Sequence, residues 1–481
     1  MDGFISRALL SLARRRKTAP EPSPLLVELF ERTPEDAEVA YRRYPFSYSL
    51  ERNGSGWDYF VGCDLPDSTM MDLRKVVSDV GERLEPASID PLTFGRLVEV
   101  LSQEAAGVLG GLIDQSRVAE LGELVAYEAI GLARLFALAK DELVTEFYVD
   151  SDQSPVYLDH LKVGRCETGI ILTERERRAI ETHMDTFRGY TLDYSTPSLK
   201  NDIEVAGARL RVSLDLAPIS ANRFSLDVRR LNLKSFSLRE LVRMNVLSAE
   251  AGAFLVCWLE EGGNITIIGE TGTGKTTLMN ALDERVNPRL RRVYIEDAVE
   301  TIDLLERGYH QLKIKVDPFD RGATSSHNKE SEIVKVLHRS PDIVILSELQ
   351  SEDHSRAFYH ALSAGVRGIQ TFHASSVEQA IRRWTDVHKI PKQGILDLGV
   401  LVQMSRPERL GPFRAVSRIC YVASENGEPR IREIFARRDS QLARLADWDR
   451  LAPPRNARMD DFLLKMHAIQ DHLGREVWMA N

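Results

Sequence analysis

The sequence predicts an α/β fold, with a parallel-sheet core built around a phosphate-binding loop, preceded by a smaller α+β domain and a helical N-terminal region. Three observations predict it. Gly269-Glu270-Thr271-Gly272-Thr273-Gly274-Lys275-Thr276-Thr277 fits G-x-x-x-x-G-K-[ST] and lies between an apolar stretch and a helical one. Downstream, three apolar runs each end in a side chain suited to phosphate chemistry. Upstream, two runs alternate apolar and polar residues as half-buried strands do.

The loop's context carries its chemistry. Asn264-Ile265-Thr266-Ile267-Ile268 reads as a buried strand, and Thr276-Thr277-Leu278-Met279-Asn280-Ala281-Leu282 opens a helix. Glycines let backbone N–H groups curl around phosphate oxygens, and the helix N-terminus adds the positive end of its dipole. Gly269, Thr271, Gly272, Thr273, Gly274, Lys275, Thr276 and Thr277 are the expected nucleotide-binding residues. Lys275 would reach the β- and γ-phosphates and the Thr276 hydroxyl would sit on Mg²⁺.

Val293-Tyr294-Ile295-Glu296-Asp297-Ala298-Val299-Glu300 is a strand ending in clustered carboxylates. Acids at a strand's carboxyl end face the ligand crevice of an open α/β sheet, so Glu296 and Asp297 would hold Mg²⁺ or orient water. The competing reading is a solvated loop cluster. Pro341-Asp342-Ile343-Val344-Ile345-Leu346-Ser347-Glu348 is an apolar strand whose terminal Glu348 would polarise water for in-line attack. The expected metal set is Thr276, Glu296 and Glu348. Gly368-Ile369-Gln370-Thr371-Phe372-His373-Ala374-Ser375 is a fourth strand, with His373 placed as a γ-phosphate sensor or as a structural, hydrogen-bonded histidine.

The remaining elements follow in order. Residues 4–17 read as a short amphipathic helix ending in four basic residues, which either touches a membrane surface or acidic partner or docks on its own domain. A Pro-rich linker completes segment 1–24. Residues 25–120 are expected to be mostly helical, from the spacing of Leu73, Val76, Val77 and Val80 and of Leu97, Val98 and Leu101. A strand-rich α+β domain follows over 121–235, with a helix capped by Thr173 and Glu176. Its strands 209–216 and 224–230 both carry arginines on the face opposite their apolar residues. The core domain spans 236–440, and 441–481 is a helical tail with Phe462, Met466, Ile469 and Leu473 on one face.

Bulk properties narrow the function. The 481 residues are too many for one core. A formal charge of −9 supplies no global field for nucleic acid. Cys63, Cys166, Cys257 and Cys420 form no C-x-x-C, which fits a reducing cytoplasm and suggests neither zinc site nor disulfide framework. No charge-free run is long enough to cross a bilayer, and the start does not read as a secretory signal because its basic cluster follows the apolar residues.

Together these motifs resemble the ATPases of type II and type IV secretion, type IV pili and the archaellum, over about residues 121–439. The resemblance rests on the phosphate loop, Ile295-Glu296-Asp297 with Glu300, the Walker B strand ending at Glu348, and Thr371-Phe372-His373-Ala374. Pro155-Val156-Tyr157-Leu158 and Asp227-Val228-Arg229-Arg230 look like the family's N-terminal domain, and Phe413-Arg414-Ala415-Val416 like a closing strand. The histidine-box form and the lack of a four-cysteine motif look closest to the archaeal and tight-adherence branch. The resemblance implies a RecA-like core, ATP and Mg²⁺ as cofactors, and a homo-hexameric ring. It also implies a cytoplasmic place at the inner face of the cell membrane. A polytopic platform protein would be the partner, and pilin-like or secreted substrates would be served indirectly. It assigns Arg209, Arg229 and Arg230 to arginine-finger positions.

Several residues depart from the family pattern. Ser347 and Gln350 replace the glycine and arginine that usually flank the Walker B glutamate, Val366 replaces a histidine, and His338 with Arg339 replaces an arginine. Two alternatives therefore stand beside a motor: a nucleic-acid-transfer motor on the same core, and a ring that binds nucleotide but barely turns it over. ATPase stimulation by single-stranded DNA with a steep salt dependence would mark the first. Single-turnover hydrolysis separates the second.

Overall fold

Asn53-Gly54, between two runs rich in aromatic residues, lies in a tight hairpin turn that pairs Asn53 with Gly56. In the computed structural model the described residues are 37–54, 56–83, 94–185, 192, 194, 197–231, 235–316, 329–406, 414–438, 441–448, 451–454 and 457–474. They divide between two units, Met1–Leu233 and Lys234–Asn481. The basic segment and linker of 1–24, and Phe413, lie outside the described residues.

The first unit holds a nine-stranded sheet. Its strands are β1 (Val39–Arg43), β2 (Phe46–Asn53), β3 (Gly56–Cys63), β4 (Val144–Val149), β5 (Pro155–His160), β6 (Gly164–Ile171), β7 (Ser198–Val205), β8 (Ala208–Leu216) and β9 (Phe224–Leu231). Their order is β1-β2-β3-β6-β5-β4-β9-β8-β7. Every neighbouring pair is antiparallel except β3 with β6, where Trp57, Asp58 and Tyr59 run alongside Cys166, Glu167 and Thr168. Residues 39–63 are thus strands where a mostly helical region was expected, and the predicted helices begin only at Asp67–Arg83 and Phe94–Leu109. The signal was present in Phe46-Ser47-Tyr48-Ser49-Leu50, which alternates with period two.

One apolar core joins this sheet to its helices, including Leu73, Leu101, Leu124 and Phe136. Phe136 stacks on Tyr127 at 4.3 Å between ring centroids. Beside it sits a buried polar cluster: Asp141, 1% exposed, accepts from the Tyr41 hydroxyl at 2.5 Å and the Tyr59 hydroxyl at 2.6 Å. A buried carboxylate is tolerated because both donors reach it.

The second unit holds β10 (Ile265–Ile268), β11 (Arg292–Glu296), β12 (Gln311–Lys315), β13 (Ile343–Leu349), β14 (Gly368–Phe372), β15 (Val400–Ser405), β16 (Ala415–Glu425), β17 (Glu428–Arg438) and β18 (Gln441–Arg444). The order is β12-β11-β13-β14-β10-β15-β16-β17-β18. The first six strands are parallel, and β16–β18 extend the sheet antiparallel.

Parallel strands need both faces covered, and the alternation of side chains shows how that is met. Ile265, Ile267, Tyr294, Ile343 and Ile345 join one apolar cluster with the helices Ala249–Glu260 and Lys275–Asp283. Ile268, Val293, Ile295, Val344 and Leu346 join the other with the helix Glu352–Ser363. The tail helix Met459–Gly474 buries Phe462, Met466 and Leu473 in the first cluster, against its own unit. Phe462 meets Phe254 edge-on at 6.2 Å. Beneath the sheet Arg292, fully buried, pairs with Asp283 at 2.7 Å, and Tyr294 donates to the same carboxylate at 2.5 Å.

Candidate nucleotide site

Four parallel strands bring their carboxyl ends to one edge of the second sheet. β10 runs into the glycine loop, β11 ends at Glu296, β13 carries Glu348 near its end, and β14 stops one residue before His373. β14 lies between β10 and β13, so His373 falls between the loop and Glu348. The chain turns back at β10, with β14 on one side and β15 on the other, which is the switch point where open α/β sheets bind ligands.

The loop needs its glycines. Gly272 at φ +72° and Gly274 at φ +92° are left-handed, and Gly274 is the N-cap of the helix Lys275–Asp283. A Cβ at Gly269 would stand 2.5 Å from Thr273 Oγ1 and 2.9 Å from the Met404 carbonyl. Lys275 folds back across this loop, donating to the Gly269 and Glu270 carbonyls at 2.9 Å each, and its Nζ is 3.4 Å from His373 Nδ1. Burial lowers its pKa to about 8, against the opposing pull of Glu348, Glu300 and Glu270.

The acidic cluster is arranged differently from the expectation. Thr276 Oγ1 donates at 2.9 Å to Glu300, not to Glu296. Glu296 is fully buried and its oxygens are taken by the turn that follows it: the Glu300 and Thr301 N–H groups at 3.0 Å and the Thr301 hydroxyl at 2.7 Å. Burial pushes its carboxyl above the usual range, with those hydrogen bonds opposing. Glu296 therefore shapes the turn that presents Glu300. The sequence showed Glu300 as part of the cluster, but only the fold-back of the turn singles it out. Asp297 accepts from Ser347 Oγ at 3.2 Å.

Glu348 sits on a β-bulge. Leu346 pairs with Gln370 but Leu349 pairs with Phe372, so β13 carries one extra residue there. The bulge lets the Glu348 carboxylate meet His373 Nε2 while its other oxygen accepts from Gln350 Nε2 at 2.8 Å. Burial alone would raise the Glu348 pKa, but His373 and Gln350 outweigh it and hold the carboxyl below its usual range. Arg383 ties the two strand ends together, donating to the His373 and Gln350 carbonyls at 2.9 Å each. Lys329, which the sequence did not mark, contacts Asp297 and the Glu348 carbonyl.

The three candidate arginines belong to the first unit and differ in availability. Arg230 cannot be a free finger, because its guanidinium is spent on the carbonyls of Ala139, Asp141 and, at 3.0 Å, Val144. Its flanking strand residue Arg229 pairs with Glu146 at 2.9 Å on the surface. Arg209 lies on β8, half-buried.

Donor chemistry at the loop fits magnesium and a nucleoside triphosphate. Thr276 and Glu300 offer hard oxygens side by side, the left-handed glycines open the loop, and Lys275 is a cation that donates to two neutral carbonyls. Among the described residues no group of three or more His, Cys, Asp or Glu is placed to hold a metal alone, so phosphate and water would complete the shell.

Residues 199–395 match the family model described as "Type II/IV secretion system protein". An uncharacterized protein of Methanocaldococcus jannaschii is 31% identical over 36% of this chain and 63% of its own. The type IV secretion system protein PtlH of Bordetella pertussis is 32% identical over 27% of this chain and 38% of its own. This chain spans between 32% and 63% of the length of these and similar relatives. Among solved structures, the Legionella pneumophila ATPase DotB is 14% identical, covering 63% of this chain and 81% of that one at a TM-score of 0.45. The pilus retraction motor PilT with bound ADP is 14% identical over 70% and 85%, at 0.41. Through residues 199–395, the chain is similar to the type II/IV secretion system proteins.

Proposed function

We propose that this chain is a Mg²⁺-dependent ATP hydrolase that works as a homo-hexameric motor at the cytoplasmic face of the cell membrane. In this reading it drives a polytopic platform protein and, through it, assembly of a pilus-like filament or export of protein. The supporting observation is the convergence of Lys275, the Thr276–Glu300 pair and the Glu348–His373 pair on one sheet edge. The relatives from Methanocaldococcus are in keeping with the archaeal branch.

Each residue then has a task. Thr276 and Glu300 would hold the metal, which when bound would neutralise phosphate charge. Lys275 exchanges its loop carbonyls for β- and γ-phosphate oxygens. Glu348, kept ionised by His373 and Gln350, takes the proton of the attacking water. His373 touches Lys275 through one ring nitrogen and Glu348 through the other, so it links the phosphate-holding cation to the base. In this reading 121–235 is the family's N-terminal domain and 236–440 the ATPase domain. Arg209 and Arg229 then remain as the arginines that steady the transferred phosphate in the ring.

The test is steady-state phosphate release from Mg-ATP by the purified chain and two variants. Lys275→Ala and Glu348→Gln should fall to background. Wild-type rates in both would overturn the assignment.

A further inference from the structure

Lys329 opens the helix Lys329–Lys335, yet only 3% of its side chain is exposed. Burying an ammonium is unfavourable unless charge and acceptors compensate it. Here the compensation comes from two strands of the candidate site. Nζ donates to the Glu348 carbonyl and stands 3.5 Å from Asp297 Oδ1, the same oxygen that accepts from Ser347 Oγ. Lys329 thus joins the carboxyl end of β11 to that of β13.

The bulge explains why a cation is useful there. Where β13 gains its extra residue, Ser347 and Glu348 fall outside the ladder with β14. Side chains accept the task instead: Thr371 Oγ1 donates to the Ser347 carbonyl and Lys329 Nζ to that of Glu348. The Glu348 residue is then held at both ends, its carbonyl by Lys329 and its carboxylate by His373 and Gln350.

We propose that Lys329 is a positioning residue for phosphate splitting: it clamps Asp297 and the Glu348 carbonyl, and so holds the bulge in the conformation that aims the Glu348 carboxylate at His373. This rests on the reading of the site as an ATP hydrolase. Lys329 acts through Glu348 and Asp297 and lies outside the phosphate loop, so nucleotide binding does not depend on it.

The experiment measures nucleotide affinity, kcat and its pH profile for the full-length protein and the variants Lys329→Met and Lys329→Gln. Misplacing a reacting group by about 1 Å costs about 10²-fold, and a loss of that order in kcat is expected, with Kd for Mg-ATP within about twofold of wild type. Because the contacts with His373 and Gln350 hold the Glu348 carboxyl below its usual range, a bulge that no longer aims it at His373 should also move the acid limb of kcat to higher pH. A purely structural lysine would lower Tm but leave kcat per folded molecule and the acid limb in place, and that result overturns the proposal. Lys329→Gln keeps a donor for the carbonyl and covers the case in which Lys329→Met does not fold. Asp297→Asn loosens the clamp from its other end and should lower kcat without weakening binding; wild-type kcat in that variant also overturns the proposal. No hydrolysis by the wild type would sink the underlying reading, whereas wild-type hydrolysis with unchanged Lys329 variants would sink this inference alone.

Discussion

The Thr276 hydroxyl and the Glu300 carboxylate meet at 2.9 Å, and Glu296, four residues before Glu300, makes that meeting possible by binding the intervening turn from below. The two acids should therefore fail differently. Glu300→Gln is expected to raise the Mg²⁺ concentration for half-maximal hydrolysis by at least about tenfold, since losing even a group behind a metal ligand costs about 10–100-fold. Glu296→Ala leaves two N–H groups and a hydroxyl buried without partners, and should cost about 1–3 kcal/mol of stability. Magnesium titrations and thermal melts on both variants distinguish them.

Lys275 gives a pH signature. Its pKa is near 8 in the free protein because burial disfavours the ammonium, and a triphosphate would favour the charged form. Binding above pH 8 must then take up a proton, so affinity for Mg-ATP should decline as pH rises through 8–9. Calorimetry in buffers of different ionisation enthalpy reads the uptake directly. A pH-independent affinity over that range would show that the lysine does not change state.

His373 sets the working range of Glu348. With the imidazole in place the carboxyl titrates below its usual value; without it, only Gln350 is left to oppose the upward push of burial. His373→Ala should therefore shift the acid limb of the kcat profile upward, in addition to lowering the plateau. Phosphate-release rates from pH 5 to 8 are the measurement.

Arg230 and Arg209 separate structure from function in the first unit. Arg230 donates to three backbone carbonyls, so Arg230→Gln should destabilise by about 2–4 kcal/mol, given that hydrogen bonds from charged groups contribute about 1.5–3 kcal/mol each and are only partly replaced. Arg209→Gln should leave the melting curve nearly unchanged while lowering hydrolysis. Differential scanning calorimetry beside activity assays compares them.

What the residues revealed and what they hid follows from how local each feature is. The phosphate loop was legible because nine consecutive residues state both its backbone and its ligand. The strands at 293–296, 343–348 and 368–372 were legible because buried parallel strands are continuous apolar runs. The choice of Glu300 over Glu296 was not, since a tight turn decides which acid faces Thr276. The Glu348–His373 contact depends on one inserted residue in a ladder, and Lys329 arrives from a helix whose first residue has no pattern to mark it. Arg230 looked like its neighbours, because nothing in the alternation of β9 shows three carbonyls within its reach. The Asn53-Gly54 turn was a missed signal: the helical spacing that follows it drew the whole region toward helix.

The pairing of β3 with β6 bears on how the protein can be cut. A fragment starting after Cys63 would not be a trimmed form of the same sheet. It would leave β6 as an open border of unpaired peptide groups and deprive Asp141 of both phenols that neutralise its burial. Such a fragment should polymerise through that border, so shortening from the N-terminus must stop ahead of β1.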